Sequence, residues 1–114
     1  MSVVIYHNPR CSKSRQTLAL LEGRGIEPEI VRYLDAPPSA GDLKAILAKL
    51  GAGPRDIMRV KEAPYKELNL KEVDDDNALI DAMAENPVLI ERPIVVNGDK
   101  AAIGRPPEAV LEIL

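Results

Sequence analysis

Along this chain, short runs of β-favouring residues stand at the start and near the end, and between them apolar positions recur every third or fourth residue. Val3 to Tyr6 are four β-favouring residues followed by a turn-like His7-Asn8-Pro9, which predicts a strand and its exit. From Ser12 to about Gly23 the spacing is helical, with Leu18, Leu21 and nearby Ala19 on one face and Arg24-Gly25 suited to a C-terminus. Glu29 to Leu34, EIVRYL, predicts a second strand. A strand, helix and strand joined this way are normally parallel and right-handed. That arrangement puts the first loop at the C-terminal edge of the sheet, where open α/β folds commonly bind ligands.

The middle of the chain is helical in pattern. Pro37 and Pro38 break it, Ser39 can cap a helix, and Leu43, Ile46, Leu47 and Leu50 then form an apolar stripe that Gly51 ends. Gly53-Pro54 and Ala63-Pro64 open two short turns or helices. Asp74 to Asp76 cap a helix from about Asn77 to Glu85, packed through Leu79, Ala82 and Met83. This acidic triplet is a helix-start device, because no glycine-turned acidic loop of the calcium-binding kind follows. From Pro87 onward the chain changes character: Ile94 to Val96 and Lys100 to Ile103 flank Asn97-Gly98, a strong hairpin signal. Pro106 starts a last helix with a stripe of Pro107, Val110, Leu111 and Leu114. The predicted order is βαβ, a helical stretch, then ββα.

Composition narrows the class. At 114 residues the chain is expected to form one domain, 1–114, with a helical insertion at about 36–87. A net charge of −3 with charged residues in mixed order argues against nucleic acid or an anionic membrane as a partner held by bulk charge. No apolar run approaches the ~18 to 20 residues of a membrane span, and the N-terminus lacks the pattern of a secretory signal. A cytoplasmic monomer is expected, with no metal and no bound cofactor. The chain has no Phe and no Trp, so its core must be aliphatic.

Chemistry concentrates at the single cysteine. Cys11 sits at or just before a helix N-terminus, where unpaired backbone N–H groups and the helix dipole favour a thiolate. Arg10, Lys13 and Arg15 add positive charge nearby, and Ser12 and Ser14 can donate hydrogen bonds to the sulfur. A lone cysteine is often a small buried apolar residue, but these neighbours are basic, polar and turn-forming. With no second cysteine in the chain, an oxidised or covalently loaded Cys11 must be resolved by an external thiol.

Two arginines bracket the hairpin. A turn at Asn97-Gly98 sets position 92 opposite 103, so Arg105 falls diagonally across from Arg92 on the same face. Each alone would pass as a solvated charge or a carboxylate partner; together, two guanidinium forks at one hairpin end suit a tetrahedral oxyanion. A three-residue loop including Asp99 would change that parity.

With these residues in view, the chain resembles the ArsC family of glutaredoxin-coupled arsenate reductases over essentially its full length. His7 through Arg15 matches the H-x3-C-x3-R signature, Arg59 through Pro64-Tyr65 and Leu68 resembles the central arginine region, Glu91-Arg92-Pro93-Ile94-Val95-Val96 matches the R-P-I-V strand, and Gly104-Arg105-Pro106-Pro107-Glu108 matches the R-P segment. The resemblance implies a thioredoxin-like α/β fold with a helical insertion between its second and third strands, and a cis Arg92-Pro93 bond. It makes Cys11 the nucleophile toward arsenate, assigns oxyanion binding to Arg59, Arg92 and Arg105, has His7 influence the thiolate, and gives Ser14 and Arg15 a supporting role in the cysteine loop. It further implies glutathione as co-substrate and glutaredoxin as reductant. His7 also fits a turn residue bonded to backbone. A glutathione-dependent thiol reductase or transferase, and a non-enzymatic RNA polymerase-binding regulator similar to Spx, remain alternative functions.

Overall fold

The inner strand β1 (Val3–Tyr6) faces both ways: Val3 and Ile5 are buried, while Val4 and Tyr6 are half-buried. The computed structural model describes residues 2–114, which divide into two compact units, 2–36 with 92–114, and 37–91. In the first unit, β1 leads through α1 (Ser12–Gly23) to β2 (Glu29–Val31), and the unit finishes with β3 (Ile94–Asn97), β4 (Lys100–Ile103) and a 3-10 segment, Pro107–Ile113. The sheet order is β2-β1-β3-β4. β1 and β2 pair in parallel and the other neighbours are antiparallel, giving a mixed α/β sheet of the thioredoxin-like kind. Val3, Ile5, Leu21, Val95 and Val110 form the core of this unit, joined by the half-buried Leu18, Ile26, Ala102 and Ile113. These side chains are aliphatic, but the expectation of a wholly aliphatic interior is corrected by Tyr33, an aromatic side chain of this unit that is buried at 1% exposure.

The second unit begins with α2 (Ala40–Leu50). The Ser39 hydroxyl accepts from the Asp42 N–H at 3.1 Å and the Asp42 carboxylate accepts from the Ser39 N–H at 3.1 Å, a reciprocal cap. Gly51 closes the helix in the left-handed region at φ 65°, where a Cβ is costly. Leu43, Ile46 and Leu47 are buried, and α2 packs on α4 (Asp76–Glu85), whose buried residues are Leu79, Ile80, Ala82 and Met83. Between them lie a 3-10 turn at Pro54–Ile57 and the short α3 (Ala63–Glu67). The Arg55 guanidinium ties this stretch together, donating to the Tyr65 hydroxyl and to the carbonyls of Leu70, Lys71 and Val73. None of the helices among the described residues is long and apolar enough to cross a membrane.

The structure departs from the sequence pattern at four places. Strand β2 stops at Val31, short of Leu34. It is an edge strand whose partner is β1, and β1 ends where the chain turns toward Asn8-Pro9; the last rung is the His7 N–H on the Val31 carbonyl at 2.8 Å. The chain then turns, with the Asp35 and Ala36 N–H groups both on the Arg32 carbonyl at 2.9 Å. The buried side of α1 is Ser14, Thr17 and Leu21, while Ala19 is exposed.

The hairpin turns at Gly98-Asp99 rather than Asn97-Gly98, since Asn97 pairs with Lys100. Gly98 carries the positive φ of 62° as the first central residue, where such a turn wants glycine. Asn97 stays in the strand, its side-chain amide donating to the Ile113 carbonyl at 2.6 Å. The final apolar stripe is shifted too: Pro107 and Val110 are buried in 3-10 geometry, Ile113 packs on the core, and Leu114 is 40% exposed.

Candidate functional site

Cys11 is the N-cap of α1, in extended conformation at φ −92° and ψ 124°. The loop before it is folded on itself by side-chain bonds. The Cys11 N–H donates to the Asn8 carbonyl at 3.0 Å, the Arg10 N–H to Asn8 Oδ1 at 3.0 Å, and the Asn8 N–H to Ser14 Oγ at 3.0 Å. Asn8 thereby makes a local turn of its own. Arg15 crosses back to the loop, its Nη1 donating to the Pro9 carbonyl at 2.9 Å.

Ser14 is fully buried and its hydroxyl is committed away from the sulfur, to His7 Nδ1 at 2.6 Å. The reading of this hydroxyl as a donor to Cys11 is therefore corrected: its partners are the Asn8 N–H and the His7 imidazole. His7 is 6% exposed, and its pKa is lowered by burial and by the positive charges of Arg32 and Arg15. A lowered pKa favours the neutral ring, hydrogen-bonded through Nδ1 to the Ser14 hydroxyl. His7 reaches the cysteine through Ser14 and the loop.

The sulfur is only partly buried. Desolvation pushes its pKa up, but the Ser14 N–H, the Arg92 charge, the Lys13 N–H and the Arg105 charge together outweigh it, and the pKa is lowered. Neither N–H completes a capping hydrogen bond to Sγ. They act as oriented dipoles at the start of the helix, the second and third helical N–H groups aimed at an N-cap anion.

The hairpin supplies the arginines. Extending the observed register past Ile94 and Ile103 sets Arg92 directly opposite Arg105, and the Gly104 N–H on the Pro93 carbonyl at 2.9 Å continues the ladder. The two arginines share a face, as expected, through a different pairing. Arg105 Nε donates to the Arg92 carbonyl at 2.8 Å, and its Nη2 lies 3.5 Å from Cys11 Sγ. Both Arg92-Pro93 and Arg105-Pro106 bonds are cis. Arg59 belongs to the second unit, where its Nη1 sits 2.8 Å from a Glu62 carboxylate oxygen and its N–H donates to the Leu89 carbonyl at 2.7 Å.

Sequence reasoning missed Gly104 and Thr17. A Cβ on Gly104 would fall 2.5 Å from Thr17 Oγ1 and 2.8 Å from Pro93 Cγ. Thr17 is fully buried and its hydroxyl is turned back onto the Lys13 carbonyl at 2.8 Å. Gly104 thus lets the hairpin end approach the first turns of α1, beside the cysteine. The glycine before Arg105 was visible in the sequence, but nothing local marked it as a contact.

Chemically, the arrangement offers a partly exposed thiol of lowered pKa with the Arg105 guanidinium beside it, which on ionisation is a nucleophile. Such a group can attack an electrophilic anion. Among the described residues, no three His, Cys, Asp or Glu side chains are grouped to hold a metal ion.

Comparison with known proteins places this arrangement in a family. The chain is 59% identical to an arsenate reductase of Haemophilus influenzae, covering 100% of both chains. It is 58% identical to the uncharacterized protein YfgD of Escherichia coli K12, over 98% of this chain and 96% of that one. The solved structure of an arsenate reductase from Vibrio cholerae superposes with a TM-score of 0.96 at 59% identity, covering 100% of this chain and 98% of that one. The model of the ArsC family matches residues 6–113, and the chain belongs to that family.

Proposed function

We propose that this protein is an arsenate reductase that works through Cys11 with glutathione and glutaredoxin as external thiols. The observation that carries the reading is the Cys11 sulfur at the start of α1 with Arg105 Nη2 at 3.5 Å. The names of the close relatives in Haemophilus influenzae and Vibrio cholerae support arsenate as the oxyanion.

In this scheme the thiolate attacks arsenic(V), a protonated arsenate oxygen leaves as water, and a sulfur–arsenic bond forms. Arg92 and Arg105 offset the charge on the remaining oxygens, a task the family resemblance also gives to Arg59. A glutathione thiolate then attacks the Cys11 sulfur, and the electron pair of the sulfur–arsenic bond stays on arsenic. Arsenic(III) departs as arsenite, and the two sulfurs are left oxidised as a mixed disulfide. The thiol of glutaredoxin takes the glutathionyl group and returns Cys11 to its thiolate. A chain with one cysteine requires that external step. A reducing, cytoplasmic setting suits it.

The test is arsenite formation from arsenate in the presence of glutathione, glutaredoxin and a reductant recycling system. Wild-type protein forms arsenite, Cys11→Ser forms none, and Arg59→Ala loses most of the rate. Arsenite formation surviving Cys11→Ser rejects the mechanism; turnover of glutathionylated substrates that ignores all three arginines favours a thiol transferase.

A further inference from the structure

Beside the cysteine loop lies a cavity of about 220 Å³ whose walls include His7, Pro9, Arg10, Arg32, Leu34 and Asp35. All belong to the first unit, and the cavity shares the Pro9-Arg10 wall with the turn that presents Cys11. The cavity is small, at about 220 Å³. That is below the ~300 Å³ at which pockets for whole small ligands begin. It fits the head group of a longer molecule.

The charges in the walls define which head group. The Arg10 guanidinium makes no hydrogen bond or ion pair with any described residue. Arg32 has only a loose pair with Asp35, 3.6 Å apart with side chains 62% and 73% exposed, so both can be redirected at little cost. The Arg32 charge also bears on His7, which stays neutral and adds no competing cation. Two guanidinium groups call for a carboxylate, the Asp35 carboxylate for an ammonium, and Pro9 with the 43% exposed Leu34 for a short aliphatic stretch. A carboxylate, an ammonium and a short carbon stem are the parts of an α-amino-acid group.

Glutathione carries such a group free at its γ-glutamyl end, with its thiol further along the molecule. Resting on the proposed glutathione-dependent reaction, we infer that this cavity seats the γ-glutamyl head of glutathione, with its carboxylate on Arg10 and Arg32 and its ammonium on Asp35. The co-substrate then approaches Cys11 from the Pro9-Arg10 side, leaving Arg92 and Arg105 to the oxyanion. Neither Arg10 nor Arg32 takes part in the oxyanion chemistry above, so the two functions separate by mutation.

Calorimetric titration with S-methylglutathione, which cannot react, reads this site without turnover. The expected result is binding by the wild type, weakened about tenfold or more by Arg10→Ala and by Arg32→Ala, and retained in Arg105→Ala. Asp35→Asn weakens S-methylglutathione but leaves its N-acetyl derivative unaffected, since that ligand has no ammonium to lose. Thermal melting of each variant separates lost binding from lost folding. Absent binding by the wild type, affinity indifferent to both arginine replacements in folded protein, or binding of L-glutamate in preference to S-methylglutathione overturns the assignment. Arsenite formation tests the underlying reading independently: intact S-methylglutathione binding without arsenite formation sinks the activity and spares the site, and the reverse outcome does the opposite.

Discussion

Arg105 Nη2 lies 3.5 Å from Cys11 Sγ although 94 residues separate the two in the chain. The contact is assembled by the sheet: β3 pairs with β1, which delivers Cys11, and with β4, which delivers Arg105. Both Arg92 and Arg105 lower the pKa of the thiol, Arg92 more than Arg105. Arg92→Ala and Arg105→Ala therefore each move the midpoint of Cys11 alkylation to higher pH, Arg92→Ala by more, and each lowers kcat/KM for arsenate by on the order of 10²-fold. The pH profile of iodoacetamide labelling and steady-state kinetics check the two halves separately.

Gly104→Ala forces a methyl group between Thr17 and Pro93, where the available distances are 2.5 and 2.8 Å. Overpacking of this kind costs about 1–3 kcal/mol. Because the clash pushes the hairpin end away from α1, the Cys11 alkylation midpoint rises as well. Leu21→Ala hollows the core and costs about 2–5 kcal/mol, but leaves that midpoint in place. Denaturant melts alongside the labelling profile distinguish the two variants.

His7 gives the fold a pH dependence with a defined sign. Its folded pKa lies below the unfolded value of 6.5, so the unfolded chain binds the proton more readily. The stability associated with the neutral ring is complete above about pH 6.5 and is lost as pH falls below it. Thermal midpoints measured from neutral to mildly acidic pH should decline for the wild type, and His7→Gln should flatten the part of that slope which His7 supplies.

In the second unit, Ser39→Ala removes the hydroxyl that caps α2 and should cost about 1 kcal/mol, read as a lower denaturant midpoint. The Cys11 alkylation midpoint should not move.

The sequence made some of this structure legible because the information was local. Ser39 and Gly51 bound α2 by their own chemistry, and the position of Cys11 before α1 followed from a strand, a turn and a helical pattern read in one short stretch. What it hid depends on neighbours distant in the chain. β2 ends at Val31 because its partner strand ends, and α1 buries Thr17 rather than Ala19 because Gly104 arrives against it. The shared face of Arg92 and Arg105 was legible from parity, yet the turn residues were not. Asn97 is held in its strand by a bond to Ile113, at the far end of the chain. The Ser14 hydroxyl was likewise read toward the nearest sulfur, whereas burial beside His7 turned it the other way.

The most direct measurement is the pH titration of the thiolate by its ultraviolet absorbance, unambiguous in a chain with one cysteine. A midpoint below the ordinary thiol value of 9.0, moving upward when Arg92 is replaced by alanine, is the predicted result. A midpoint at or above 9.0 in the folded wild type, indifferent to Arg92, would contradict the activation of Cys11 by its surroundings.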